Sequence, residues 1–138
     1  MDTKTETTTQ RVLPWVIAIL ALADGFLHLS LDLVLFRGNF FQNDLSVQFL
    51  LNFIGYVVLT AAYLLGRRRL GRRYWVMDLV LICYAGASFV LWLGRGGPNP
   101  RGLGYPSKAI EVVLIIALLA DWLGWLPRIA RWLASLRS

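Results

Sequence analysis

The stretch ADGFLHLSLD, residues 23–32, places Asp24, His28 and Asp32 four residues apart inside an apolar run that extends from residue 12 to residue 36. About 20 mostly apolar residues are enough for a helix to cross a bilayer. A spacing of four puts the three ionisable side chains on one helical face, with a drift of about 40° per step. Because an Asp at the centre of a span costs roughly 2.5–3.5 kcal/mol on insertion, we expect this face to turn away from lipid and toward other helices.

Three further apolar runs follow, in a chain of 138 residues that is 57% hydrophobic and only 16% charged. Soluble domains carry roughly 25% charged residues, so this composition is typical of a membrane protein. We predict an all-α fold, an integral membrane antiparallel four-helix bundle over residues 12–126, with spans at 12–36, 47–65, 74–93 and 109–126. Residues 1–11 are expected to form a mobile cytoplasmic tail. In residues 127–138 the apolar side chains recur at helical spacing, which predicts a short amphipathic helix on the membrane surface.

Basic residues are concentrated in the segment GRRRLGRR, residues 66–73. Four spans put this segment and both termini on one side, which then carries ten of the fourteen Lys and Arg residues. The positive-inside rule places that side in the cytoplasm and indicates a multi-pass protein of the cell (inner) membrane. We expect these arginines to contact anionic lipid headgroups, and we expect no nucleic-acid partner. The arginines concerned are Arg67, Arg68, Arg69, Arg72 and Arg73.

The other spans also carry polar residues at helical spacing. Span 2 has Asn52 and Tyr56 four apart, and span 4 opens with Lys108 and Glu111 three apart. Counted along alternating spans, most of these groups fall between the midplane and the outer surface. We therefore predict an outward-facing intramembrane polar pocket that binds a small molecule or lipid, with a polar core that only fixes helix register as the alternative. The expected lining is Asp24, His28, Asp32, Asn52, Tyr56, Tyr84, Ser88, Trp92, Lys108 and Glu111.

Several chemistries fit such a pocket. Binding linked to a proton is the broadest, because His28 lies between two carboxylates on one helical face. Acid–base catalysis on a lipid-soluble substrate would use His28 with Asp24 or Glu111. A metal site built from those three residues and Asp32 has suitable ligand types, but its spacing is not diagnostic and no metal is predicted. The identity of any cofactor, and whether a reaction is catalysed, stay open at this stage.

Residue counts exclude other sites. The single Cys83 excludes an intramolecular disulfide, and its position within span 3 predicts a small buried residue. The single His28 excludes bis-histidine haem ligation within one chain. Ser30 and Ser88 lack the nucleophile elbow of a serine hydrolase. At the N-terminus, signal-peptide cleavage after the residues ALA, 21–23, is the alternative to a first span that continues to residue 36.

Two acids lie outside the predicted pocket. Asp78 and Asp121 fall near the predicted cytoplasmic ends of spans 3 and 4. We expect them to pair with Arg72, Arg73 or Arg128, because basic residues are concentrated on that side.

A second hypothesis belongs to a different functional class. In it, the protein is a non-catalytic accessory or assembly subunit of a larger membrane complex. The small residues AGAS, 85–88, would permit close helix contact with a membrane-protein partner or with a second copy of the chain. The two hypotheses differ in where the polar stripes point: into one internal space, or outward into a partner.

Short motifs in one order carry a resemblance to a known family: HL at 28–29, FLLNFIGY at 49–56, VLW at 90–92 and KAIEV at 108–112. With these motifs the chain resembles a family of small, uncharacterised four-span membrane proteins of prokaryotes, over roughly residues 24–116. The resemblance implies a four-helix fold and carries no activity with it.

Overall fold

The computed structural model describes residues 8–70, 74–99 and 102–135, with side chains over 12–67, 69–70, 74–99 and 102–124. These ranges form four helices and contain no strand, which confirms the all-α prediction for this part of the chain. The helices are α1 (Thr8–Phe36), α2 (Asp44–Arg69), α3 (Trp75–Gly94) and α4 (Gly104–Ser135).

Helix boundaries follow local chemistry at the loop between α1 and α2. Arg37 and Gly38 have φ angles of 53° and 75°, left-handed values that end α1. Asn43 then caps α2, since its side-chain oxygen accepts hydrogen bonds from the backbone N–H groups of Leu45 and Ser46, both at 3.0 Å. Asp44 in the first turn adds a negative charge beside the positive end of the helix dipole.

Two predicted boundaries differ from the structure. Helix α1 begins at Thr8, so residues 8–11, assigned to the tail from the sequence, are helical, whereas residues 1–7 lie outside the described part. Helix α4 runs without interruption from Gly104 to Ser135. The amphipathic helix predicted for residues 127–138 is therefore not a separate element over its described part, since residues 127–135 continue α4 as backbone.

Pairs of contacting residues show that successive helices alternate in direction. His28 meets Phe49 and Asp32 meets Ser46, so α1 and α2 are antiparallel. Helices α2 and α3 are also antiparallel, because Asn52 contacts Ser88 whereas Tyr63, later on α2, contacts Tyr74 just before α3. One end, which we call the glycine-loop end, holds the loop at residues 37–43 and the described loop residues after α3, which are 95–99 and 102–103. The opposite end, where α2 ends and α3 begins, is called the arginine-loop end.

Helix α1 packs along α2 and α4, and α3 packs along α4, whereas α2 and α3 contact each other over a short stretch only. Helix α1 approaches α2 closely at Gly25, where a Cβ atom would lie 3.0 Å from the Cβ of Tyr56. The core contains phenols as well as aliphatic groups, because Tyr56, Tyr63 and Tyr74 are buried among Ile, Leu and Ala side chains.

Compared with a soluble protein, the pattern of burial is reversed: apolar side chains are exposed and acidic side chains are buried. Many large apolar side chains are exposed, for example Ile19 at 65% and Val90 at 66%, whereas most acids on the helices are buried. Three helical segments are long and apolar enough to cross a membrane: Val12–Phe36, Asp44–Arg67 and Trp75–Gly94. Helix α4 is not among them over its described side chains, which include Lys108, Glu111 and Asp121.

Candidate functional site

Polar side chains from all four helices meet inside the bundle, nearer the glycine-loop end. Each helix contributes residues three or four apart, so each presents its polar face to the same interior space. Eight of the ten residues predicted to line a pocket belong to this group, together with Ser107. We call the group the polar cluster; its members are Asp24, His28, Asn52, Tyr56, Tyr84, Ser88, Ser107, Lys108 and Glu111.

Glu111 is at the centre of the polar cluster. Its Oε1 atom accepts hydrogen bonds from Lys108 Nζ (2.6 Å), Ser88 Oγ (2.6 Å) and Tyr56 OH (3.4 Å). Lys108 Nζ also lies 3.1 Å from Ser88 Oγ, and Asn52 Nδ2 lies 3.2 Å from the same oxygen. One carboxylate oxygen thus joins side chains of α2, α3 and α4, while Glu111 Oε2 is buried with no hydrogen-bond partner among the described residues.

Asp24 and His28 form the α1 side of the polar cluster. Ser107 Oγ donates to Asp24 Oδ1 at 2.7 Å, which ties α4 to α1. His28 Nδ1 donates to the Asp24 carbonyl oxygen at 2.9 Å and lies 3.6 Å from Asp24 Oδ2, which otherwise has no hydrogen-bond partner in the described chain. Because a carbonyl oxygen only accepts, this bond leaves Nε2 as the free nitrogen of a neutral ring.

Tyr84 links α3 to α2, the two helices that contact each other over a short stretch only. Its hydroxyl donates to the Leu51 carbonyl oxygen at 3.1 Å and lies 3.4 Å from Asn52 Oδ1. The contact requires a glycine on α2, because a Cβ atom at Gly55 would overlap the Tyr84 hydroxyl. The ring of Tyr84 also meets that of Tyr56 edge-on, with centroids 5.1 Å apart.

A cavity of about 40 Å³ adjoins the polar cluster on its glycine-loop side. One water needs roughly 10–15 Å³ of cavity volume, so the space holds about three water-sized groups. Most of the wall surface is apolar, although seven of the thirteen lining residues carry polar side chains, so the space is less polar than the pocket predicted from the sequence. The lining consists of His28, Leu31, Leu45, Gln48, Phe49, Asn52, Ser88, Trp92, Arg95, Pro98, Gly104, Ser107 and Lys108.

The structure places two predicted pocket residues elsewhere. Asp32 accepts a hydrogen bond of 2.5 Å from Ser46 Oγ at the start of α2 and takes no part in the polar cluster. Two helical turns separate it from Asp24, about 12 Å along the axis, which is too far to reach Glu111. Trp92 does line the cavity, but its indole N–H donates to the Pro98 carbonyl oxygen at 2.8 Å and so holds the loop after α3.

Three residues of the site were missed from the sequence. Ser107 lies four before Glu111, and Gln48 lies four before Asn52, so both continue stripes that the sequence already displays. Extending each stripe by one turn would have found them. Arg95 had no such signal, because its position at the cavity depends on the path of the loop after α3.

Ligand atoms of Asp24, His28 and Glu111 lie within 4.8 Å of one another, close enough to surround a small cation. Asp32, the fourth ligand considered from the sequence, is not part of this set. The ammonium group of Lys108, 2.6 Å from Glu111 Oε1, already supplies a positive charge there, so a metal ion would have to compete with it.

A second group of buried acids lies toward the arginine-loop end. Asp121 Oδ2 accepts a hydrogen bond from Tyr63 OH at 3.0 Å and lies 3.5 Å from an Arg67 guanidinium nitrogen. Arg67 also lies over the ring of Tyr74, 5.1 Å from its centroid. Both oxygens of Asp78 are buried with no hydrogen-bond partner among the described residues. We call Asp78, Asp121, Arg67, Tyr63 and Tyr74 the inner acid group.

These contacts bear on the predicted roles of the loop arginines. Arg67, expected at lipid headgroups, points to Asp121, which was expected to pair with Arg72, Arg73 or Arg128. The side chains of those three arginines, and that of Arg68, lie outside the described part, whereas Arg69 is exposed.

Cys83 differs from its prediction and Ser30 lies outside the site. Cys83 is exposed on α3, because it faces the gap between α2 and α3 rather than the interior. Ser30 is exposed and its hydroxyl donates to the Phe26 carbonyl oxygen at 2.8 Å.

Comparison of the chain with protein-family models, with curated proteins and with solved structures finds no match. The resemblance to small four-span prokaryotic membrane proteins therefore stays a prediction, and the geometry of the polar cluster and its cavity is the observation that bears on function.

Proposed function

We propose that this chain is a four-span protein of the cell membrane that binds a small molecule or lipid in the cavity beside the polar cluster. In this proposal both termini are cytoplasmic and the glycine-loop end faces outward. The observation that carries it is the meeting of polar side chains from four helices at one cavity, inside a bundle with an apolar exterior.

The membrane part of the proposal is supported by the distribution of burial. Exposed apolar side chains cover the outer faces of α1, α2 and α3, the three helices with sufficient hydropathy. Helix α4 has such a face too, and its charged residues Lys108, Glu111 and Asp121 are buried. We therefore assign α4 as the fourth span. Exposed aliphatic residues on the described part of α4 include Val112, Val113, Ile116, Leu119 and Leu123.

The binding part is supported by the excess of ionisable groups over what helix packing needs. Interhelical hydrogen bonds in membranes contribute only about 0.6–2 kcal/mol each, and uncharged Ser, Thr or Asn residues make them at a lower desolvation cost. Burial of Asp24, His28, Lys108 and Glu111 together is expensive, and a ligand site gives a reason for keeping them.

The same groups make proton linkage part of the proposal. Lys108 and Glu111 pair with each other, which leaves Asp24 and His28 as the members of the polar cluster that can gain or lose a proton without breaking that pair. A charged ligand entering the cavity would then be accompanied by gain or loss of a proton at Asp24 or His28, because a net charge in a low-dielectric interior is costly.

The test begins with purification. The protein should resist extraction by alkaline washing, dissolve in a mild detergent, and carry a small molecule or lipid in stoichiometric amount by native mass spectrometry. His28→Ala should reduce the retained ligand and reduce ligand-dependent thermal stabilisation. Ser30→Ala is the matched control, since Ser30 lies on the same helix but is exposed, and it should change neither quantity.

A second candidate function is the accessory or assembly subunit. It is favoured by the apolar groove between α2 and α3, which is lined by Leu51, Ile54, Gly55, Val58, Leu59, Val80, Cys83 and Tyr84. A protein partner at 1:1 ratio, with no small ligand in the same preparation, would support this candidate and contradict the first.

A further inference from the structure

Among the described residues, the lining of the cavity beside the polar cluster includes three basic residues and no acid. His28, Arg95 and Lys108 belong to its lining, while Asp24 and Glu111 lie behind them and are not among the lining residues. Asp24 accepts a hydrogen bond from Ser107, and Glu111 accepts one from Lys108, on the side away from the cavity. The cationic groups that face the cavity are therefore those of Lys108, which is paired with Glu111 behind it, and Arg95.

Hydrogen-bond donors remain available on the cavity wall. Lys108 Nζ has three N–H groups, and the described contacts, to Glu111 Oε1 and Ser88 Oγ, use two of them. The Asn52 amide has two N–H groups, of which one is directed to Ser88. Arg95 is exposed at the mouth and brings a guanidinium group, which binds planar oxyanions well. A group rich in acceptor oxygens would satisfy these donors.

Size and wall chemistry narrow the ligand further. Space for about three water-sized groups matches the three heavy atoms of a carboxylate. Leu31, Leu45 and Phe49 provide an apolar wall next to the basic groups. Such a combination, one charged contact and an apolar wall, is suited to an amphiphile whose head enters the cavity.

We propose that the ligand of this cavity is a carboxylate with an apolar tail, its head bound by Lys108, Asn52 and Arg95. This proposal rests on the proposed function and adds the chemical class of the ligand to it. A cationic ligand is disfavoured, because a second positive charge would lie close to Lys108 without a carboxylate facing it. A lipid-borne fatty acid and a short water-soluble carboxylate share this head chemistry, and the test distinguishes them.

The test compares four probes on the full chain in lipid nanodiscs: octanoate, octanol, octylamine and acetate. Isothermal titration calorimetry should give saturable 1:1 binding for octanoate and at least about tenfold weaker binding for octanol and octylamine, since a lost charge contact of this kind is worth about a factor of ten. Weaker binding of acetate than of octanoate would assign a lipid-borne ligand. Equal binding of the two would assign a water-soluble carboxylate, and both results support the proposal.

Substitutions of cavity residues test whether octanoate binds in this cavity. Arg95→Gln should weaken octanoate binding about fivefold to tenfold, because it removes one charged hydrogen-bond donor at the mouth. Arg37→Gln is the matched control, since Arg37 is exposed at the same end of the bundle but does not line the cavity. Lys108→Met should abolish octanoate binding if it folds, and Arg95→Gln keeps the proposal testable if it does not.

The results that overturn this inference are separate from those that overturn the proposed function. Octylamine or octanol binding as tightly as octanoate would contradict the carboxylate assignment and leave a ligand pocket in place. The same holds if octanoate fails to bind while a different small molecule co-purifies and depends on His28. If none of the four probes binds and no small molecule co-purifies, both the carboxylate assignment and the proposed function are contradicted.

Discussion

The polar cluster and the inner acid group both bury acids within one helical bundle, but they treat the charge differently. In the polar cluster, Lys108 pairs with Glu111 at 2.6 Å, and the lysine side chain is 8% exposed. In the inner acid group, Arg67 lies 3.5 Å from Asp121, and the arginine side chain is 32% exposed. The first pair is buried on both sides, whereas the second is partly exposed through the arginine side chain, although the Arg67 nitrogen nearest Asp121 is itself buried.

This difference follows from depth along the helices. Arg67 lies near the end of α2, where a long side chain can direct its charged group toward the aqueous boundary while its stem contacts Tyr74. Lys108 is directed inward by its neighbours on α3 and α4 and has no comparable exit. A buried pair beside a cavity is suited to ligand binding, whereas a partly exposed pair at a helix end is suited to anchoring.

Breaking the Lys108–Glu111 pair should have the largest effect. Glu111→Gln leaves a buried ammonium group without its carboxylate, and such a loss costs about 3–5 kcal/mol in folding free energy. Titration with SDS in mixed micelles would measure the free energy of unfolding. The double variant Lys108→Met/Glu111→Gln should recover part of this loss. Additive losses in the double variant would show that the two side chains are not energetically coupled.

Removing the partner of a buried carboxylate should lower the free energy of unfolding, whereas removing a buried carboxylate that has no partner in the described chain should raise it. Ser107→Ala removes the 2.7 Å donor to Asp24 and puts Asp24 in the situation of Asp78, so a loss of about 1–3 kcal/mol is expected. Asp78→Leu removes an acid whose buried oxygens have no partner in the described chain, so a gain of about 1–2 kcal/mol is expected. A loss of stability in Asp78→Leu would instead indicate that the arginine loop supplies a partner. Thermal unfolding in detergent would measure both changes.

The inner pair should show the smallest effect. Asp121→Asn keeps an acceptor for the Tyr63 hydroxyl and removes only a long charge contact, 3.5 Å, to the partly exposed Arg67 side chain. Its effect on the free energy of unfolding should stay below about 1 kcal/mol and should shrink further in 1 M salt. A loss as large as that of Glu111→Gln would erase the distinction between the two sites.

Much of the site could be predicted because helix geometry turns spacing into direction. Residues four apart share a face, and a charged face must avoid lipid, so the stripes on α1, α2, α3 and α4 had to point inward. The same reasoning failed for Asp32, which shares the face of Asp24 but lies two turns away. At that depth its neighbour is Ser46 at the start of α2 rather than a residue of α4.

The sequence by itself determined the helical class, the apolar character of three of the four predicted spans and the inward direction of the polar stripes, because these depend on composition and on a period of 3.6 residues. The tertiary structure alone decided which stripes meet at the same depth, which hydroxyl reaches Asp24, and which side of Lys108 faces a cavity. Those outcomes depend on the lengths of the loops and on close approaches such as that at Gly25, and distances between helices are not encoded in the spacing along any one of them.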